Sequence, residues 1–178
     1  MLSPSEITTR NGPLKTPIRL DIGAGVHPMK GWTAMDRVAM PGIDIVHDFL
    51  DFPWPFEDGS VSEARAEHVI EHIPHLCLCC RKQQDPFFAF FDEVWRVLRP
   101  SGKLYLISPH SDSRRAWSDP THCRAINEQT LMYLSNDVRH SRGVGHYQVH
   151  CNFDAQYEFV IDDKGKIQDL RATLVKLV

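Results

Sequence analysis

No stretch of this 178-residue sequence approaches the roughly 20 consecutive apolar residues of a membrane span, and its N-terminus lacks the charged and apolar regions of a secretory signal. A cytoplasmic protein is expected. Charge of one sign is lacking too: 20 Lys and Arg against 23 Asp and Glu leave a net charge of -3, so nothing steers the whole chain toward phosphate backbones or anionic membranes. The basic runs Arg114-Arg115 and Arg139 to Arg142 are no longer than those of ordinary solvated loops, and nucleic acid is disfavoured as a partner. Five cysteines, three of them crowded into Cys77-Leu78-Cys79-Cys80, are odd in number and wrongly spaced for a disulfide framework. Free thiols are expected. Internal repeats and low-complexity tracts are absent.

What is present has the composition of an ordinary globular domain, 42% hydrophobic and 24% charged, and is long enough to bury a core without metal or disulfide staples. Residues 1–17, with Pro4, Gly12, Pro13 and Pro17, are expected to form a flexible leader, and 18–178 a single domain. Arg19-Leu20-Asp21-Ile22-Gly23-Ala24-Gly25 reads as a buried strand ending in a tight glycine turn. Trp32 to Asp36 and Ile43 to Asp48, separated by Pro41-Gly42, read as two short strands that each end in aspartate. A proline-rich loop over 51–60 precedes a fourth strand in the middle of Val61 to Val69.

Asp85-Pro86 offers a cap followed by proline at the first helical position. Phe87, Phe91, Val94, Trp95 and Leu98 then recur at helical spacing until Pro100-Ser101-Gly102 stops them. Lys103 to Ser108 follows as a central apolar strand. A helix running directly into such a strand implies a parallel crossover. Asn127 to Leu134 is expected as a helix, and Tyr157 to Ile161 and Leu170 to Leu177 as a hairpin-like pair flanking Asp162-Asp163-Lys164-Gly165.

The order of these pieces is that of an α/β fold: a Rossmann-like, doubly wound, mostly parallel sheet with an antiparallel C-terminal strand pair. Six segments in this order resemble a small class I S-adenosylmethionine-dependent methyltransferase. They are Leu20 to Gly25, Ala34-Met35-Asp36, His47-Asp48, Phe52 to Ser60, Glu67 to His72 and Glu93 to Leu104. The resemblance covers about residues 18 to 109. It implies S-adenosylmethionine as cofactor and methyl transfer as activity; the acceptor is left unidentified, with a small molecule the first expectation. It places Gly23 and Gly25 by the methionine portion, with Asp21 and Ala24 of the same segment as further cofactor candidates, Asp36 on the ribose hydroxyls, Asp48 and Phe49 beside adenine, and His68 along the cleft. A carboxylate suits a ribose because it accepts a hydrogen bond from each of two adjacent hydroxyls. Two departures stand out: His27 takes the third glycine position, and only ten residues separate Gly25 from Asp36. A parallel crossover normally needs a dozen or more, so the first helix must be abbreviated, leaving His27 to Lys30 to serve the cofactor's carboxylate.

The polar segment from His110 to Arg124 should overlie the sheet's carboxyl edge. In it, His110 or His122 is a candidate proton acceptor, with Asp119 to orient an imidazole. Arg114 and Arg124 are candidates for holding an acidic group of the acceptor, and Trp117 for covering a flat substrate or the sulfonium. Two other readings compete. His68-Val69-Ile70-Glu71-His72 matches the inverted zinc-peptidase pattern H-x-x-E-H, which would make His68, Glu71 and His72 a zinc hydrolase centre if a helix carried them. His75, Cys77, Cys79 and Cys80 stand nearby as further donors, but without paired C-x-x-C spacing, and no metal is expected. The other reading is a protein of this fold that binds the cofactor without catalysis.

Overall fold

The computed structural model describes residues 17–75 and 85–178; the leader expected over 1–17 lies almost entirely outside them. The strands are β1 (Ile18–Ile22), β2 (Thr33–Asp36), β3 (Ile45–Val46), β4 (Val61–Glu67), β5 (Leu98–Pro109), β6 (Phe153–Ile161) and β7 (Ile167–Lys176). They form one seven-stranded sheet in the order β3-β2-β1-β4-β5-β7-β6. β1 to β5 run parallel to one another, while β7 is antiparallel to both β5 and β6. The expected sheet, with its antiparallel C-terminal pair, is therefore present. Strand order reverses between β1 and β4, so the crevice where such sheets hold ligands opens beyond the carboxyl ends of these two strands.

The helix α1 (Pro86–Val97) starts as its sequence dictates, with Asp85 accepting from the Phe87 amide and Pro86 in the first turn. Its buried stripe of Phe87, Phe90, Phe91, Val94 and Val97 joins the main core. Three short helices follow: α2 (Arg115–Ser118), α3 (Glu128–Met132) and α4 (Asn136–Ser141). α3 lies inside the expected Asn127 to Leu134 span, and a capping box between Asn127 and Thr130 sets its start. α4 was not foreseen: its six residues bury only Arg139, so no apolar period marks it.

Between β1 and β2 the chain makes turns alone, and the first helix is abbreviated as expected. The Asp21 carboxylate holds this turn by accepting from the Met29 amide at 2.8 Å. β3 is shorter than expected because Asp44 replaces a ladder contact with a side-chain one, its Oδ2 accepting from the Ala34 amide at 2.9 Å. The Pro100-Ser101-Gly102 stop falls within β5, where Ser101 has φ +59° and the register with β4 jumps from Leu98 to Lys103.

Register sorts the sheet into two unlike faces. Leu20, Ile22, Ala64, Ala66, Leu104 and Leu106 alternate onto the face that shares a core with α1. Their neighbours Arg19, Asp21, Glu63, Arg65 and Tyr105 point the other way. There Arg19 pairs with Glu63 at 2.6 Å, Arg65 with Asp21 at 2.9 Å and also with Glu67, and the Tyr105 hydroxyl donates to Glu63 at 3.0 Å. Trp32 completes this face, its ring edge-on to Tyr105 and 4.4 Å beneath the Arg19 guanidinium.

Candidate functional site

A cavity of about 480 Å³ opens at the carboxyl ends of β1, β2 and β4, within the size range of small-molecule sites. Gly23 lines it at the end of β1 with φ +63°, and its amide donates to Met35 O at 2.8 Å. A Cβ at Gly23 would stand 2.8 Å from Val69 Cγ2. Glycine is required on both counts.

Asp36, at the end of β2, accepts from the Gly25 amide at Oδ2 and the Val38 amide at Oδ1, both at 2.9 Å. A carboxylate has about four lone-pair sites, so it keeps acceptor capacity toward the cavity it lines. Asp48 uses Oδ1 for the Leu50 amide at 2.9 Å. Phe49 stands edge-on to Phe90 of α1, and its carbonyl accepts from Trp54 Nε1 at 3.1 Å. The Trp54 amide is itself bonded to Glu93 of α1 at 2.6 Å. The Pro-Trp-Pro-Phe segment thus acts as a plug that fixes the Asp48-Phe49 wall.

Five of the eight residues expected at the cofactor, Gly23, Asp36, Asp48, Phe49 and His68, line this cavity. Asp21, Ala24 and Gly25 do not. Asp21 is buried and both of its oxygens are engaged, one by Arg65 and one by Met29. It anchors the turn from below. Val69 and His72, of the segment expected along the cleft, line it as well, while Arg37, Leu50 and Pro74 line it unforeseen, with no pattern of their own to mark them.

A second cavity of about 480 Å³ adjoins the first, lined by His68, His72, Arg115, Asp119 and His122 among others. His68 and His72 line both. His68 follows β4 in the left-handed region, φ +54°, and its amide donates to Ile107 O at 2.8 Å. Its Nδ1 lies 3.1 Å from Glu71 Oε1. That hydrogen bond raises the His68 pKa above its ordinary value, with burial opposing it.

The loop carrying His122 is clamped to the turn carrying His72. The Cys123 and Arg124 amides donate to Glu71 O at 2.8 and 3.1 Å. Arg124 also donates to Ile73 O at 2.8 Å and Pro74 O at 2.9 Å, and meets Asp85 at 2.7 Å. The rings of His122 and His72 stand edge to face, 4.7 Å apart.

The loop's other candidate residues take differing positions. Arg124 spends its guanidinium on the clamp and lines neither of these two cavities. His110 is buried, bonded through Nδ1 to the Asp112 amide at 3.1 Å and through Nε2 to Glu128 at 3.3 Å. A histidine satisfied at both nitrogens and outside both cavities fits a structural role. Trp117 is exposed and donates to Ser111 O, and neither it nor Arg114 lines the cavities. The neighbouring Arg115 does so instead, held at 2.7 Å by Asp169. Asp119 accepts from the amide and hydroxyl of Thr121 at 2.8 and 2.6 Å, which hold its pKa down. It does not orient His122, whose Nδ1 faces Ala116 O at 3.1 Å.

The H-x-x-E-H segment is no helix. His68 follows a strand, and Ile70–His72 is a single 3-10 turn, so the support a zinc peptidase needs is missing. Cys77, Cys79 and Cys80 lie outside the described residues. Cys123 and Cys151 are free thiols, and burial pushes the Cys151 pKa well up.

No family model and no curated protein matches the sequence. Solved structures do match. A SAM-dependent methyltransferase from Archaeoglobus fulgidus superposes with a TM-score of 0.62 at 15% identity, covering 91% of this chain and 87% of that one. One from Methanosarcina mazei gives 0.57 at 18% identity, covering 93% and 95%. The Burkholderia thailandensis 1,6-didemethyltoxoflavin-N1-methyltransferase, solved with its substrate and S-adenosylhomocysteine, gives 0.55 at 15%, covering 90% and 71%. This chain has the Rossmann-like fold of the class I SAM-dependent methyltransferases.

Proposed function

We propose that the chain binds S-adenosylmethionine in the cavity bordered by Gly23, Asp36 and Asp48 and transfers its methyl group to a small molecule held in the adjoining cavity. The observation that carries this reading is the wall the two cavities share, built from His68 and His72 at the switch point of the sheet. The residues suit the cofactor. Asp36 retains lone pairs for two hydroxyls, and Gly23 keeps the backbone clear of any side chain. Asp48 has an oxygen beyond the one used by Leu50.

When bound, S-adenosylmethionine supplies a sulfonium-activated methyl that an acceptor lone pair takes, the C–S electron pair returning to sulfur. Alignment alone can contribute much of the rate of such a displacement. Arg115 and His122 border the acceptor side. Ala116 O can only accept, so His122 carries its proton on Nδ1 and presents Nε2 as a free Lewis base. The acceptor cavity is of small-molecule size, and no described helix is long and apolar enough to cross a membrane.

Labelled S-adenosylmethionine incubated with the protein and fractionated cell extract is expected to label a low-molecular-weight product. His122→Ala is expected to depress that transfer while leaving S-adenosylhomocysteine affinity within about twofold, since it sits on the acceptor side. Cofactor binding with no transfer to any fraction would favour a binding protein, and equal loss of both functions would make His122 structural.

A further inference from the structure

We propose that Glu71, His72 and His122 form a binding site for a divalent transition-metal ion beside the wall between the two cavities. One ligand atom from each of the three lies within 4.8 Å of the other two. Bonds of about 2.0–2.2 Å to a single ion would require side-chain rotation to close that spacing. The set differs from the H-x-x-E-H pattern: His68 is bonded to Glu71, and the third donor comes from a loop fifty residues further along the chain.

Three observations point to a ligand. The first is Glu71 itself, 1% exposed, with Oε1 facing His68 and Oε2 without a hydrogen-bond partner among the described residues. A buried carboxylate oxygen left this way is costly unless something positive meets it.

The second is the protonation pattern of the two imidazoles. His122 carries its proton on Nδ1, opposite Ala116 O, leaving a lone pair on Nε2. Thr121 Oγ1 lies 2.6 Å from Asp119 Oδ1, an ionised acceptor, so the hydroxyl proton goes there. Thr121 Oγ1 then accepts from His72 Nδ1 at 3.1 Å, leaving the His72 Nε2 lone pair free as well. Fixing one ring nitrogen by a hydrogen bond so that the other can ligate is how metal-binding histidines are oriented.

The third is rigidity. The two amide bonds to Glu71 O tie the loop of His122 to the turn of Glu71 and His72 through the main chain. The donor set is thereby assembled by the fold.

Two imidazoles and a carboxylate suit Zn²⁺, Co²⁺ or Fe²⁺ better than the hard cations, which prefer all-oxygen sites. Three protein ligands also leave coordination positions open, and the cavity lined by Arg115 and Asp119 lies alongside. An acceptor hydroxyl on such an ion would lose its proton more readily, which would make a separate base unnecessary. That use of the ion rests on the methyl-transfer reading; the binding site does not.

The test is titration of chelator-stripped full-length protein with Co²⁺ and Zn²⁺ in the absence of cofactor. One ion per chain is expected, with a cobalt absorption spectrum of nitrogen and oxygen ligation that Zn²⁺ abolishes. His122→Ala and Glu71→Gln should each weaken binding at least about tenfold, and Thr121→Val, which frees His72 Nδ1, by about tenfold. His150→Ala, at an exposed histidine elsewhere, should change nothing. Thermal unfolding of each stripped variant checks its fold, and if Glu71→Gln is unfolded, the variant at half-buried His122 carries the test. Absence of saturable binding, undiminished affinity in His122→Ala, or a thiolate-to-cobalt charge-transfer band would overturn the site. Because the readout is metal alone, its failure leaves the cofactor reading standing, and failure of S-adenosylhomocysteine binding leaves this site standing.

Discussion

The two faces of the sheet solve the same problem in different ways. On one, leucines, isoleucines and alanines of β1, β4 and β5 meet the phenylalanines of α1 in a continuous core. On the other, the crossover from β1 to β2 is too short to carry a helix, and the strands there bear Arg19, Asp21, Glu63 and Arg65. A charged ladder capped by Trp32 does the covering. The difference teaches that shortening a crossover costs the sheet an apolar lid. The residues facing the gap must then be able to satisfy one another or water. The glycine turn remains in place because Asp21 reaches across to the Met29 amide and holds it down.

Substitutions ranked by expected effect sharpen this contrast. Phe90→Ala, deep in the apolar face, should lower unfolding free energy by about 3–5 kcal/mol, as large core deletions do. Asp21→Ala leaves the Met29 amide unpaired and Arg65 with Glu67 alone. Urea unfolding should show a loss of about 2–3 kcal/mol, and a negligible loss would break the claim that this carboxylate replaces a missing helix. Trp32→Ala should cost about 1–2 kcal/mol through its lost contacts with Arg19 and Tyr105. Glu63→Gln, in a part-exposed pair with Arg19, should fall within about 0.5 kcal/mol. A core-sized effect there would mean that the polar face is as tightly coupled as the apolar one.

Much of the apolar face was legible in the sequence, because periodicity reports burial. Phe87, Phe91 and Val94 recur at helical spacing behind an Asp-Pro cap, and Leu104 and Leu106 sit in a run that only a central strand would bury. The cavity at the end of β2 was legible where a residue ends or closely follows a strand, as Asp36, Gly23 and Asp48 do. The loop from His110 to Arg124 was not. Its side chains are polar throughout, so composition cannot separate Arg115, which borders the cavity, from Arg114, which does not. Nor can it separate His122, with one nitrogen free, from His110, with both taken. Those outcomes depend on the backbone clamp at Glu71, a contact between residues about fifty apart that no local pattern announces.

The claim that this fold presents a cofactor site at the end of β2 is tested most directly by calorimetric titration of S-adenosylhomocysteine into wild-type protein and Asp36→Ala. A single saturable site is expected in the wild type, with binding weaker by about 1–3 kcal/mol in the variant through loss of charge-assisted hydrogen bonds. Equal affinity in the two proteins, or no binding to the wild type, would contradict it.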